Sequence, residues 1–185
     1  RGSSIMFLQP KIRLGLGRMS PGVPRRMIEI RDLVKKYPGS AGLHGITFTV
    51  GKGEIVGYLG PNGSGKTTTM RILACFMPAT SGSAWICGHD VLTQSRQARS
   101  VLGYLPERVP LYEDMRVYEY LFFRAAMRAV PRRERKRAVI AAVDKCWLGD
   151  KYERPIGTLS KGYRQRVGLA DAILAGPEVL ILDEP

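Results

Sequence analysis

Nine consecutive residues, Gly60-Pro61-Asn62-Gly63-Ser64-Gly65-Lys66-Thr67-Thr68, carry the most specific chemistry in the sequence. They match the pattern G-x-x-x-x-G-K-[ST] at every fixed position. Glycines let a backbone curl until successive N–H groups point inward, where any Cβ would obstruct an approaching group. A helix opening at the same place adds the partial positive charge of its N-terminus. The result is a cradle for phosphate. Lys66 is expected to reach the β- and γ-phosphates of a nucleotide, and the Thr67 hydroxyl to bind Mg²⁺, so ATP and Mg²⁺ are the expected cofactors.

Two acids stand at the far end of the chain, in Leu182-Asp183-Glu184-Pro185, directly after the apolar run 179–182. Such a run suits a parallel strand buried on both faces. In an open parallel sheet the carboxyl ends of strands meet at the ligand crevice. Asp183 is therefore expected to hold Mg²⁺, through water, beside the phosphate loop. Glu184 is then placed to orient or deprotonate an attacking water.

These groups need a scaffold, and the apolar periodicity predicts one. Alternation at 28–30, the runs 46–50 and 55–59, and short runs at 83–87 and 101–105 read as strands. The phosphate loop opens a helix through Phe76 that stops at Pro78. Helical periods cover 117–130 and 132–147. In the second, Val139, Ala142, Val143, Cys146 and Trp147 form one apolar stripe. A further helix follows Ser160 and ends at Gly176-Pro177. The order predicts an α/β fold with a phosphate-loop core.

At 185 residues the chain suits one domain, and no apolar run approaches the length that spans a bilayer. The net charge of +13 is concentrated in two places. Residues 1–27 hold six basic residues and no acid, and read as a disordered extension. Residues 124–137 hold seven basic residues and Glu134, which suits a solvated helix face or a contact with phosphates or anionic lipid. Cys75, Cys87 and Cys146 lack metal or disulfide spacing and read as buried free thiols. His44 and His89 have no partner motif.

Between the two motifs lies Leu159-Ser160-Lys161-Gly162-Tyr163-Arg164-Gln165-Arg166, at a helix start. With the phosphate loop before it and the Asp-Glu pair after it, residues 28–185 resemble the ATP-binding-cassette family, whose signature usually reads LSGGQ. The resemblance implies a three-layer phosphate-loop NTPase core with an N-terminal antiparallel β subdomain and an inserted helical subdomain at about 107–175. It also implies two cassettes bound head to tail, with Ser160 and Gly162 acting in trans on the partner's ATP. Tyr37, in Val34-Lys35-Lys36-Tyr37, matches the aromatic that stacks on adenine. Glu107, in Tyr104-Leu105-Pro106-Glu107, stands where most relatives have a glutamine that senses Mg²⁺, and it keeps an oxygen ligand there. Together with the segment 109–115 it resembles the gliding-motility and multidrug-exporter branch of bacterial cassettes.

Lys161 and Tyr163 depart from the usual signature. The family's elements after Glu184, including a histidine that contacts the γ-phosphate, lie beyond Pro185, so the chain reads as a fragment with weak nucleotide binding and little turnover. The expected function is the ATPase subunit of an exporter. It would act as a dimer on a separate membrane permease, at the cytoplasmic face of the membrane and without nucleic acid. A soluble cassette acting on ribosomes or DNA is the alternative. A generic phosphate-loop kinase is the third reading, but Ser160 would have no role in one.

Overall fold

The computed structural model describes residues 26–38 and 40–183. They form two compact units that divide between Ala98 and Arg99. In the first, β1 (Arg26–Tyr37) is the centre of an antiparallel sheet of order β2-β1-β3-β4. β2 is Ser40–Gly51, β3 is Ser81–Ile86 and β4 is His89–Asp90. Ile30 and Leu33 of β1, Leu43 of β2 and Ile86 of β3 are buried. Helix α1 (Lys66–Leu73) packs on β3 through Ile72 and Leu73. β1 begins at Arg26 and buries Met27, so the sheet takes in the last two residues of the basic stretch. Residues 1–25 lie outside the described residues.

In the second unit, β5 (Leu102–Leu105) and β6 (Val179–Leu182) pair in parallel, Leu105 opposite Leu182. Three helices pack beside them: α3 (Val117–Met127), α4 (Arg135–Lys145) and α5 (Lys161–Ile173). Their core joins Val117, Tyr120 and Leu121 of α3, Val139 and Val143 of α4, and Val167 and Ala170 of α5. α5 approaches β5 closely because glycines stand at both contacts. A Cβ on Gly168 would lie 2.6 Å from Val109 and 2.8 Å from Leu105, and one on Gly103 would strike the carbonyl oxygen of Ala172. Among the described residues no helix is long and apolar enough to cross a membrane.

Four expectations are corrected. The run 55–59 is not a strand among the described residues: no described strand lies beside it to complete a ladder, and Ile55 is 89% exposed. Only Tyr58 docks, its ring 5.7 Å from that of Phe48. α1 stops at Leu73, three residues before Phe76, because Cys75 turns to φ 59°. Trp147 is 75% exposed and does not continue the α4 stripe, since that helix ends at Lys145 and Trp147 takes φ 51° beyond the cap; Leu148 fills the core. β6 buries Val179 and Ile181 but leaves Leu180 and Leu182 partly open, because β5 is its one ladder neighbour among the described strands.

The cysteines are free thiols. Cys146 is buried, which raises its pKa, whereas Cys75 and Cys87 are half-buried.

Candidate functional site

The phosphate loop is shaped by two left-handed glycines, Gly63 at φ 82° and Gly65 at φ 90°. A side chain at Gly65 would also run into Leu43 of β2. At the other end of the loop, a Cβ on Gly60 would come to 2.6 Å from the Ser64 hydroxyl. Ser64 N–H donates to the Pro61 carbonyl at 3.1 Å, closing the turn through Asn62 and Gly63. The Lys66 ammonium folds back and donates to the carbonyls of Gly60 at 2.7 Å and Pro61 at 3.1 Å. α1 then starts with no side-chain cap and no acid in its first turn. Thr67 and Thr68 lie in that turn, partly exposed. Thr69, just inside, is buried and bonds back to the Gly65 carbonyl.

This is the geometry of an anion cradle. The helix end carries positive potential, with no carboxylate in its own first turn to cancel it. The loop is open at Gly63, where a Cβ would meet nothing within 4 Å, and its lysine can exchange carbonyl partners for phosphate oxygens. The residues therefore fit a nucleotide polyphosphate.

Tyr37 ends β1, opposite Ser40. Two residues earlier Lys35 pairs with Leu43, the residue that a side chain at Gly65 would meet. The Tyr37 hydroxyl donates to the Met77 sulfur at 3.3 Å, and the Lys35 ammonium lies 5.6 Å from its ring centre.

In the second unit Asp183 is buried at the end of β6. Its N–H donates to the Leu105 carbonyl at 2.9 Å, and its carboxylate accepts from Tyr104 Oη at 3.4 Å. Parallel pairing puts the ends of β5 and β6 side by side, so the exposed Glu107 follows one strand and Asp183 the other. Glu184 lies outside the described residues.

Ser160 caps α5: its backbone is in the β region and its side-chain hydroxyl accepts the Tyr163 N–H at 3.4 Å. Gly162 is exposed, and a Cβ there would meet nothing within 4 Å. The unusual Tyr163 is held from several sides. Its hydroxyl donates to Asp150 at 3.4 Å, with Lys151 at 5.0 Å and Arg166 at 5.2 Å from its ring centre. The end of α5 thus presents a hydroxyl, helix N–H groups and an open glycine to solvent.

The family described as ABC transporter matches residues 43–185, more than half of the chain. The chain belongs to the ABC transporter ATP-binding family. Members of that family bind ATP, in general with Mg²⁺, and hydrolyse it in their intact form. Their ATP-binding subunits work as dimers with membrane permeases. This ABC chain is 37% identical over 161 residues to the Escherichia coli protein named "Probable multidrug ABC transporter ATP-binding protein YbhF", covering 86% of this chain and 28% of the relative. It is 39% identical over 165 residues to the sulfate/thiosulfate import ATP-binding protein CysA of Bradyrhizobium diazoefficiens, covering 85% and 47%. A solved ATP-binding subunit of an ABC transporter superposes with a TM-score of 0.75 at 28% identity, covering 84% of this chain and 65% of that one. The chain CbiO1 of Clostridium perfringens gives the same TM-score at 25% identity, covering 87% and 66%. The chain spans about half or less of the curated relatives' length. Their names include both import and multidrug transport, so the family alone leaves the direction of transport open.

One cluster was missed in the sequence. Asp171 of α5, buried with 7% of its surface exposed, takes both Arg124 of α3 and Arg128, the residue that caps the C-terminal end of α3. Arg124 grips it in two places, Nε to Oδ1 at 3.0 Å and Nη2 to Oδ2 at 2.9 Å, and Arg128 Nε adds a bond of 3.0 Å. Arg135 Nε donates to the Val130 carbonyl at 2.9 Å. With the exposed Arg133–Glu134 pair, four of the seven basic residues in 124–137 are engaged within the helical unit, and the stretch is no simple solvated face. The available signal was a spacing: arginines at i and i+4 on a helix with a lone acid on another.

Proposed function

We propose that this chain is the ATP-binding part of an ABC exporter and works as a homodimer on a separate membrane permease. The observation that carries the reading is the phosphate loop: two left-handed glycines, a lysine folded over them and an uncapped, acid-free helix start. Lys66 and the N–H groups of 60–68 would hold the phosphates of ATP, and Tyr37 would stack on its base. Thr67 of the first unit and Asp183 and Glu107 of the second are the proposed oxygen ligands for Mg²⁺, an assignment that rests on the sequence pattern. Bound Mg²⁺ would neutralise charge on the phosphates. Glu184 is the proposed base that activates water. Ser160 and Gly162 would serve the ATP held by a second copy, where a helix N-terminus and a hydroxyl favour a γ-phosphate.

Export is favoured by the Glu107 pattern and by relatives named for multidrug transport and for linearmycin resistance. Action on ribosomes or DNA rested on the 124–137 charge, and the internal bonds of Arg124, Arg128 and Arg135 weaken that support. The test is two-part. Titration with Mg-ATP should give saturable binding that is lost in Lys66→Ala. Affinity purification from membranes should recover a polytopic membrane protein; salt-sensitive recovery of ribosomes or DNA in its place would sink the export reading.

A further inference from the structure

We infer that Asp171 is a positioning residue for the signature end of α5, acting through Arg124 and Arg128. This rests on the proposal that Ser160 and Gly162 act on a partner's nucleotide. Asp171 and Ser160 are eleven residues apart in sequence, about 16 Å along a helix of 1.5 Å rise per residue. α5 carries no reacting group near Asp171, yet Asp171 is one of the few buried charged side chains among the described residues. The two-pronged grip of Arg124 fixes the carboxylate in plane as well as in distance, which a single point contact does not do. Arg128, at the C-cap of α3 four residues further on, shares the same oxygens. α5 is therefore pinned to α3 against sliding and against rotation about its own axis. Gly168, one turn before Asp171, sets the second support, because α5 rests there on Leu105 and Val109 with no room for a Cβ. A rod held at these two points carries its far end to a fixed place, and that end is the Ser160 cap and open Gly162.

The surroundings are balanced for this role. Two guanidiniums face one carboxylate, so removing the carboxylate leaves adjacent like charges in a half-buried setting, and α5 must shift to relieve them. Burial opposes the charge on Arg124, but its hydrogen bond and proximity to Asp171 prevail and raise its pKa. Tyr120 lies below, its ring centre 6.0 Å from the Arg124 guanidinium, and closes the site on the core side.

The experiment measures Mg-ATP affinity and steady-state turnover of the full-length protein in parallel, together with its melting temperature. Asp171→Asn should lower kcat at least about tenfold while the Kd for Mg-ATP stays within about twofold. Arg124→Lys, which keeps charge but loses the fork, should lower kcat in the same way. The exchange Arg124→Asp with Asp171→Arg, which keeps two cations and one anion together, should restore much of the turnover. Three results overturn the inference: Asp171→Asn turning over normally, the exchange failing while the protein remains folded, or kcat and binding falling together with the melting temperature. Absence of turnover in the unmodified full-length protein would instead strike the trans role of Ser160, and the inference would fall with it. Normal turnover with an inert Asp171 strikes the inference alone.

Discussion

The Lys66 ammonium lies 2.7 Å from the carbonyl oxygen of Gly60, six residues earlier, and so closes the phosphate loop on itself. With the second bond to Pro61, the lysine substitutes backbone carbonyls for the phosphate oxygens it is expected to meet. Lys66→Ala removes both this brace and the cation. ATP binding should weaken by about 100-fold, equivalent to about 2.7 kcal/mol, as measured by calorimetric titration. Lys66→Arg should not restore it, since a planar fork cannot point a compact charge between two phosphates.

Gly63 and Gly65 separate two reasons for glycine in one loop. Both sit at positive φ, but a side chain at Gly63 would meet open space, whereas one at Gly65 would strike Leu43. Gly63→Ala should therefore cost only conformational strain, about 1 kcal/mol. Gly65→Ala should cost about 2–4 kcal/mol by adding displacement of a buried leucine to that strain. Urea unfolding of the two variants checks the difference, and equal costs would show that Leu43 yields freely.

Gly162 offers a contrast with both. A Cβ there meets nothing within 4 Å and the position is exposed, so Gly162→Trp should leave folding unchanged, within about 0.5 kcal/mol. If a second copy closes over this end of α5, the same variant should abolish turnover while leaving Mg-ATP binding intact. Parallel unfolding and ATPase assays give both values, and full activity would exclude that closure.

Much of the fold was legible because it depends on local rules. The turn into α1 needs glycines, the Ser160 cap needs a hydroxyl, and the apolar periods of α3, α4 and α5 follow from one buried face each. What depended on neighbours was not legible. The run 55–59 has strand composition, but a strand also requires a partner for its ladder, and composition does not supply one. Trp147 follows the helical period by number, yet a single left-handed residue after Cys146 turns it outward and gives its place to Leu148. Asp171 depended on neighbours too: the arginine spacing stood in the sequence, but those partners are more than forty residues away and only the fold brings them to it.

Glu107 is exposed at the end of β5, next to the strand that leads to Asp183. Exposure keeps the cost of its charge low, so replacing the carboxylate by an amide of the same shape should not disturb the unit. Glu107→Gln should hold Mg-ATP with a Kd within about twofold of the parent, and change the coupling of turnover to transport. Loss of binding in a calorimetric titration would mean that the carboxylate supports the nucleotide directly.

Tyr120 supplies a pH test of the helical unit. Burial, and then the negative charge of Asp171, push its phenol up from 10 to about 12. A folded pKa above the unfolded one means that the folded state keeps its proton while the unfolded state gives it up. The stability that this contributes is therefore complete below pH 10 and is lost as pH rises from 10 toward 12. Two units correspond to about 2.7 kcal/mol, so the unfolding free energy of the helical unit, from denaturant titration, should fall by an amount of that order across the window. Lysines and other tyrosines titrate there too, so the decisive quantity is the difference from Tyr120→Phe. That variant keeps the ring against Arg124 but has no proton to lose, and its stability should decline less over the same range. Curves that fall in parallel would show that Tyr120 ionises freely in the folded state and that its burial against Asp171 carries no such penalty.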